Sequence, residues 1–317
     1  MHRIILDTDL AMGEQGSEID DGFALALAEA DPDITVELVT TVNGNTDVET
    51  ATLLSCELLE RLDRGDVRVV RGAAAPLVAP AKARSAPTAI TERYGHHKPA
   101  PGYAATEIVE LVMANPGEIT IVAIGPLTNV AAALAMEPRL ARAAREIVVM
   151  GGIFLGQTLT SAMPGEFNVW VDPEAAHAVL HCGANLRWVG LDVTMQVRLT
   201  REHAAQMSAA PGRFSAFAGE FTTGWIEHQA ARNPGDPERG RWCAMHDPLA
   251  VAALTHPDLL TWTPAYVDIV TGHGIARGAM VTDLLTSDRA PEPNCQIATA
   301  VDADRFMEHF LTSITSR

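Results

Sequence analysis

Short apolar runs rich in β-branched residues recur along the chain at 4–6, 34–42, 67–70, 119–124, 147–150, 186–191, 266–270 and 297–301. They do not alternate with polar residues, which is what parallel strands buried on both faces require. Between them, 21–30, 48–62, 104–113, 127–136, 173–180, 248–254 and 305–314 carry apolar residues at helical spacing. This alternation predicts an α/β fold, a single domain with a mostly parallel central sheet flanked by helices. Asp172-Pro173 and Asp247-Pro248 each predict a helix start, with an acid as N-cap and proline at the first helical position. Gly125-Pro126 does a similar job after the fourth strand. Residues 73–101 and 209–240 read as excursions able to fold over a site as lids.

Composition narrows the function. With 317 residues, 47% of them hydrophobic, the chain can bury a large core, and no run approaches the ~18 apolar residues of a membrane span. Against 23 Lys and Arg stand 40 Asp and Glu, a formal charge of −17, which repels phosphate backbones and anionic lipid and argues against nucleic-acid and membrane partners. Cys56, Cys182, Cys243 and Cys295 stand far apart and are expected as reduced thiols. The N-terminal apolar run is too short for a signal peptide, so a cytoplasmic protein is expected.

Ligands of open α/β sheets bind outside the carboxyl ends of the strands. Here those exits read Asp7-Thr8-Asp9 followed by Asp20-Asp21, Asn43-Gly44-Asn45, Gly125-Pro126-Leu127-Thr128-Asn129, Gly151-Gly152 and Leu191-Asp192, with Met245-His246-Asp247 farther on. Two like charges about 4 Å apart repel by roughly 4 kcal/mol at an effective dielectric near 20. Gathering these acids in one crevice therefore calls for bound protons or a hard divalent cation, and no His/Cys set has zinc-ligand spacing. Taken singly, Asp7 and Asp9 are equally readable as turn caps, Asp21 and Asp247 as helix N-caps, and His246 as a core histidine. Glu166 and Asn168 lie two apart, so on an extended segment Phe167 would point the other way. Trp225 and His228 read as lid packing.

In their order along the chain these segments, with Thr40-Thr41-Val42-Asn43-Gly44-Asn45, Arg71-Gly72-Ala73-Ala74, Glu166-Phe167-Asn168, Val171-Asp172-Pro173-Glu174 and His246-Asp247-Pro248, resemble the nucleoside hydrolase family, enzymes that split a nucleoside into base and ribose. The resemblance covers essentially the whole chain and implies a Rossmann-like open sheet. It implies a Ca²⁺ held by Asp9, Asp21, the backbone carbonyl of Thr128 and Asp247, and ribose hydroxyls held by Asp20, Asn45, Glu166, Asn168 and Asp247. It further implies Asp9 as acceptor of the proton of the attacking water, His246 as donor to the departing base, and a homodimer or homotetramer. The sequence departs from the family pattern at two places. The loop 10–19 is longer than usual and carries Glu14 and Glu18, which makes Glu18 an alternative ligand; and no asparagine stands in 157–165, where Thr160 or Gln157 is available instead. Base selection falls to the segments around His96, His97 and Trp225. Two other readings stay open: a nucleoside or ribose binder without turnover, and a haloacid-dehalogenase-like phosphatase with Asp7 as nucleophile and Asp9 as acid, which leaves Glu166-Phe167-Asn168 and His246-Asp247-Pro248 unexplained.

Overall fold

The apolar runs become strands β1 (His2–Thr8), β2 (Ile34–Thr41), β3 (Val69–Arg71), β4 (Ile119–Ala123), β5 (Glu146–Met150), β6 (Leu186–Val189), β7 (Arg198–Thr200), β8 (Trp242–Ala244), β9 (Leu260–Ile269), β10 (Met280–Asp283) and β11 (Cys295–Val301). The helices are α1 (Asp20–Ala30), α2 (Val48–Arg61), α3 (Thr88–Tyr94), α4 (Ala104–Ala114), α5 (Thr128–Met136), α6 (Leu140–Ala143), α7 (Phe167–Val171), α8 (Pro173–Leu180), α9 (Leu191–Thr194), α10 (Arg201–Ala209), α11 (Arg213–Arg232), α12 (His246–Thr255) and α13 (Ala303–Thr315). This computed structural model describes residues 1–79, 82–85, 87–156, 163–284 and 290–315.

Among the described residues the main sheet runs β10-β9-β11-β6-β5-β4-β1-β2-β3. From β1 the chain first builds outward through β2 and β3, then returns to pair β4 with β1 and builds the other way, so the strand order reverses between β1 and β4. In open sheets that reversal opens a crevice at the carboxyl ends, where a ligand binds. Every residue of β4 and β5 is buried, in keeping with their mostly apolar sequences, and the one charged member, Glu146, is paired with Arg187.

The run 266–270, expected as one more parallel strand, belongs instead to β9, which is antiparallel to both β11 and β10. The physical reason is the short connection: Val270 N–H donates to the Ala279 carbonyl at 2.9 Å, closing a hairpin too small for a parallel crossover.

The two faces of the sheet carry separate cores. On one face Phe23 of α1 meets Phe214 of α11 and Phe310 of α13 edge-on, with ring centroids 5.9 and 5.3 Å away, and Phe306 lies 5.8 Å from Phe310. On the other, Ile121, Val149 and Trp188 are sealed beneath α5 and α8. Phe310 joins the C-terminal helix to α1, which carries two of the site acids. Phe310→Ala is therefore expected to cost about 3–5 kcal/mol of stability, as for other large-to-small changes in a packed core; urea unfolding would measure it.

Candidate active site

Asp9 stands just past the end of β1, and glycines make room for its carboxylate. A Cβ on Gly44 would lie 1.9 Å from Asp9 Oδ2, and one on Gly125 would lie 2.9 Å from Oδ1. Asp9 Oδ2 accepts the Asn45 amide at 2.6 Å, while Oδ1 is buried without a hydrogen-bond partner. The long loop 10–19 is pinned by Leu10, Met12 and Ile19, all in the core, and so delivers Asp20 and Asp21 to the first turn of α1 despite its length. There the helix dipole favours their negative charge. Asp21 accepts from the Thr8 hydroxyl and from Asn45 Nδ2 at 3.1 Å.

Asp247 was expected as an N-cap, but α12 begins one residue earlier, at His246, and its cap comes from elsewhere in the chain. Asp20 Oδ2 accepts the backbone amides of His246 and Asp247, each at 3.1 Å. That arrangement frees the Asp247 side chain, and carboxylate oxygens of Asp20, Asp21 and Asp247 lie within 4.8 Å of one another. Nor does Asp21 cap α1, whose N-cap residue is Ile19.

All of these acids are buried, and burial pushes every one of them up: Asp20 to about 6, Asp21 to about 7, with Asp9 and Asp247 well above the usual carboxylate range. Mutual repulsion adds to burial for Asp9, Asp21 and Asp247. Among the described residues no Lys or Arg forms an ion pair with any of the four; the nearby Arg239 pairs with Asp236 at 3.8 Å. Crowded oxygens, an orphaned Asp9 Oδ1 and the cradle left by Gly44 are together what a hard, oxygen-seeking cation fits.

Above the acids lies a cavity of about 150 Å³ whose lining includes Glu18, Asp20, Asn45, Glu166, Asn168, His246 and Asp247. Glu166 and Asn168 do not sit on an extended segment. Glu166 is the N-cap of α7, accepting the amides of Asn168 at 2.7 Å and of Val169 and Gly152 at 3.1 Å, and Phe167 turns into the same cavity. Asn168 Nδ2 donates to the Ile124 carbonyl at 2.9 Å, which ties α7 to the exit of β4. His246 Nδ1 is 2.7 Å from the Thr194 hydroxyl, and Nε2 is 4.0 Å from Glu18 Oε1. If Thr194 donates to Nδ1, the ring carries its proton on Nε2, on the cavity side. Burial first, and Arg239 second, lower His246 to about 4, so the imidazole is neutral at neutral pH.

Other expected residues take supporting places. Thr128 opens α5, its hydroxyl donates to Asp172 at 2.7 Å, and the β4-exit residue that lines the cavity is Ile124 instead. Asp7 accepts Thr40 at 2.5 Å and Asn129 at 2.8 Å, so it braces β1, β2 and α5. His97 bonds Glu57 at 2.8 Å and lines a different cavity. Trp225 and His228 stack at 5.6 Å and line a wider chamber of about 520 Å³ that shares Glu18, Asn45, Met163 and Phe167 with the first. Gln157 and Thr160 lie outside the described residues. All four cysteines are free. Sequence reasoning missed Arg239 and Met195 in the lining; Asp236-Pro237 marks the start of the short turn that carries Arg239 but not what its side chain faces.

Residues 4–308 match the model of the inosine-uridine preferring nucleoside hydrolase family. The chain is 33% identical over 312 residues to the non-specific ribonucleoside hydrolase RihC of Salmonella agona, covering 96% of this chain and 95% of that one. It is 32% identical over 325 residues to the inosine-uridine preferring nucleoside hydrolase of Leishmania major, covering 96% and 94%. In structure it is similar to the plant nucleoside hydrolase PpNRh1, with a TM-score of 0.85, 27% identity and coverage of 100% and 99%. These matches make the protein a hydrolase of N-glycosyl bonds. The chain belongs to the nucleoside hydrolase family. No described helix is long and apolar enough to cross a membrane.

Proposed function

We propose that the protein hydrolyses the N-glycosidic bond of ribonucleosides in a Ca²⁺-dependent reaction, giving free base and ribose. The observation that carries this reading is the convergence of Asp20, Asp21 and Asp247, with Asp9 interacting with Asp21 and Asp247, at a cavity walled by Glu166, Asn168 and His246. Asp9, Asp21 and Asp247 hold the cation, with a main-chain oxygen from the β4 exit; the Ile124 carbonyl, at the cavity, suits that place better than Thr128, which the resemblance had implied. When bound, the cation supplies a water of lowered pKa. Asp9 accepts the proton of the attacking water. Asp20, Asn45, Glu166, Asn168 and Asp247 hold the ribose hydroxyls, and their carboxylates stabilise the positive charge that develops on the sugar as the bond to the base breaks. Because its resting ring is neutral, His246 first takes up a proton from solvent and then gives it to the departing base, which leaves neutral, while the proton accepted by Asp9 returns to solvent.

A purely binding homologue would need no proton donor for the leaving group, the role this reading gives to His246, whose Nδ1 lies 2.7 Å from the Thr194 hydroxyl. The phosphatase reading gives Asp7 the attacking role, but Asp7 is fully buried and hydrogen-bonded to Thr40 and Asn129. The family resemblance carries with it a homodimer or homotetramer acting in the cytoplasm, with the α11 region closing over the base.

The metal assignment is tested by titrating Ca²⁺ calorimetrically into Asp21→Ala. Affinity and ribose release are expected to fall together, by about tenfold or more, since even outer-shell changes cost metal sites that much. An unchanged Ca²⁺ titration would remove Asp21 from the ligand set.

A further inference from the structure

Away from the acidic cavity, His177 and His181 lie one helical turn apart at the end of α8, facing Asp268 on β9. Their Nε2 atoms approach the same oxygen, Asp268 Oδ1, at 3.4 and 3.3 Å, and their rings lie 4.5 Å apart between centroids. We propose that these three residues form a second metal site, for a divalent transition ion of the Zn²⁺ type, distinct in chemistry and position from the Ca²⁺ site.

Two histidines four residues apart on a helix project from one face, the spacing by which helices present a pair of imidazoles to zinc, so the expectation that no His/Cys set in the sequence has zinc-ligand spacing is corrected at His177 and His181. A carboxylate from a neighbouring strand completes a three-ligand set and leaves a position for water. Imidazole nitrogen with one carboxylate suits zinc, nickel or copper, whereas the all-oxygen floor of the cavity suits calcium, so the two sites sort their ions by donor type. Asp268 is otherwise poorly served: Oδ1 also accepts the Ile269 amide at 2.7 Å, so three nitrogens crowd one oxygen, and among the described residues no Lys or Arg pairs with it. The side chains are 31–46% exposed, open to an ion from solvent, and none of the three lines the acidic cavity.

Two other mixed clusters are weaker. In Glu57, Glu60, His96 and His97, Glu57 already holds the Arg61 guanidinium at 2.6 Å. In Asp31, His256 and His309, the Thr255 hydroxyl is 2.7 Å from Asp31 and 3.0 Å from His256.

An ion at this site would fasten α8 to β9, so its binding is readable in stability as well as in heat. The test uses the full chain, stripped with chelator and then saturated with Ca²⁺ to fill the acidic cavity, and titrated with ZnCl₂ by calorimetry. The parent is expected to bind zinc in the micromolar range and to gain thermal stability from it. The double variant His177→Ala, His181→Ala should lose one zinc equivalent and the stability gain, while His97→Ala keeps both and ribose release in Ca²⁺ alone stays at the parental rate. Absence of micromolar zinc binding by the parent, or a double variant that binds as the parent does, overturns the proposal. So does loss of that equivalent in His97→Ala instead. Because zinc binding is read without substrate, these outcomes stand apart from whether nucleosides are hydrolysed.

Discussion

Asp9→Asn is expected to lower ribose release by about 10³-fold, within the range typical for removing a general base. The substitution is nearly isosteric, and an amide oxygen can still accept the Asn45 N–H that Asp9 Oδ2 now takes at 2.6 Å. What disappears is the proton acceptor, together with one negative charge from a crowded set of oxygens. That change also removes the repulsion that Asp21 exerts on Asp9 and that Asp9 exerts on Asp247, so the folded protein should be no less stable than the parent in the absence of metal. Circular dichroism and thermal melts would confirm the fold, and steady-state rates on the best nucleoside would give the effect. A rate within tenfold of the parent, with metal bound, would show that the water loses its proton elsewhere.

His246→Ala is expected to act selectively. Burial holds the resting ring neutral, so His246 acts as an acid only after taking up a proton; in that form Nδ1–H donates to the Thr194 hydroxyl and the Nε2 proton is the one available to the base. A nucleoside base is a poor leaving group unless it is protonated as the bond breaks, and a positioned acid typically contributes about 10²- to 10⁴-fold. Nitrophenyl riboside leaves as a stable anion and needs no such donor. The variant should therefore lose roughly 10²-fold or more on inosine while keeping most of its rate on the nitrophenyl substrate. Equal losses on both would make His246 a positioning group for Asp247 or the sugar.

Much of this was legible in the chain. The apolar runs gave the strands of the parallel sheet, and the acids at their ends marked the crevice, because buried charge is costly unless it has a purpose. Asp172-Pro173 caps α8 as its local sequence predicts, its side chain accepting the Ala175 amide at 3.1 Å. The same dipeptide logic failed at Asp247-Pro248, where a side chain more than two hundred residues away, Asp20, takes over the cap. Local rules cannot anticipate a donor or acceptor brought in by the fold.

The local conformation at Glu166 is open in the sequence for a different reason: a polar-apolar-polar triplet is as compatible with a helix start as with a strand, and the amides of Asn168, Val169 and Gly152 decide it. The direction of β9 was hidden because strand propensity carries no sign of pairing; only the closure of the hairpin at Val270 sets it. Arg239 and Met195 reach the cavity from the short 3-10 turn opened by Asp236-Pro237 and from the end of α9, and a local start signal does not say which side chain the fold will aim inward.

The most direct measurement is ribose release, by reducing-sugar assay, from inosine, adenosine, guanosine, uridine and cytidine, with and without a chelator strong enough to remove Ca²⁺. The account predicts release from at least one nucleoside, abolished by the chelator and restored by added Ca²⁺. No release from any of the five with Ca²⁺ demonstrably bound, or release indifferent to the chelator, would contradict it.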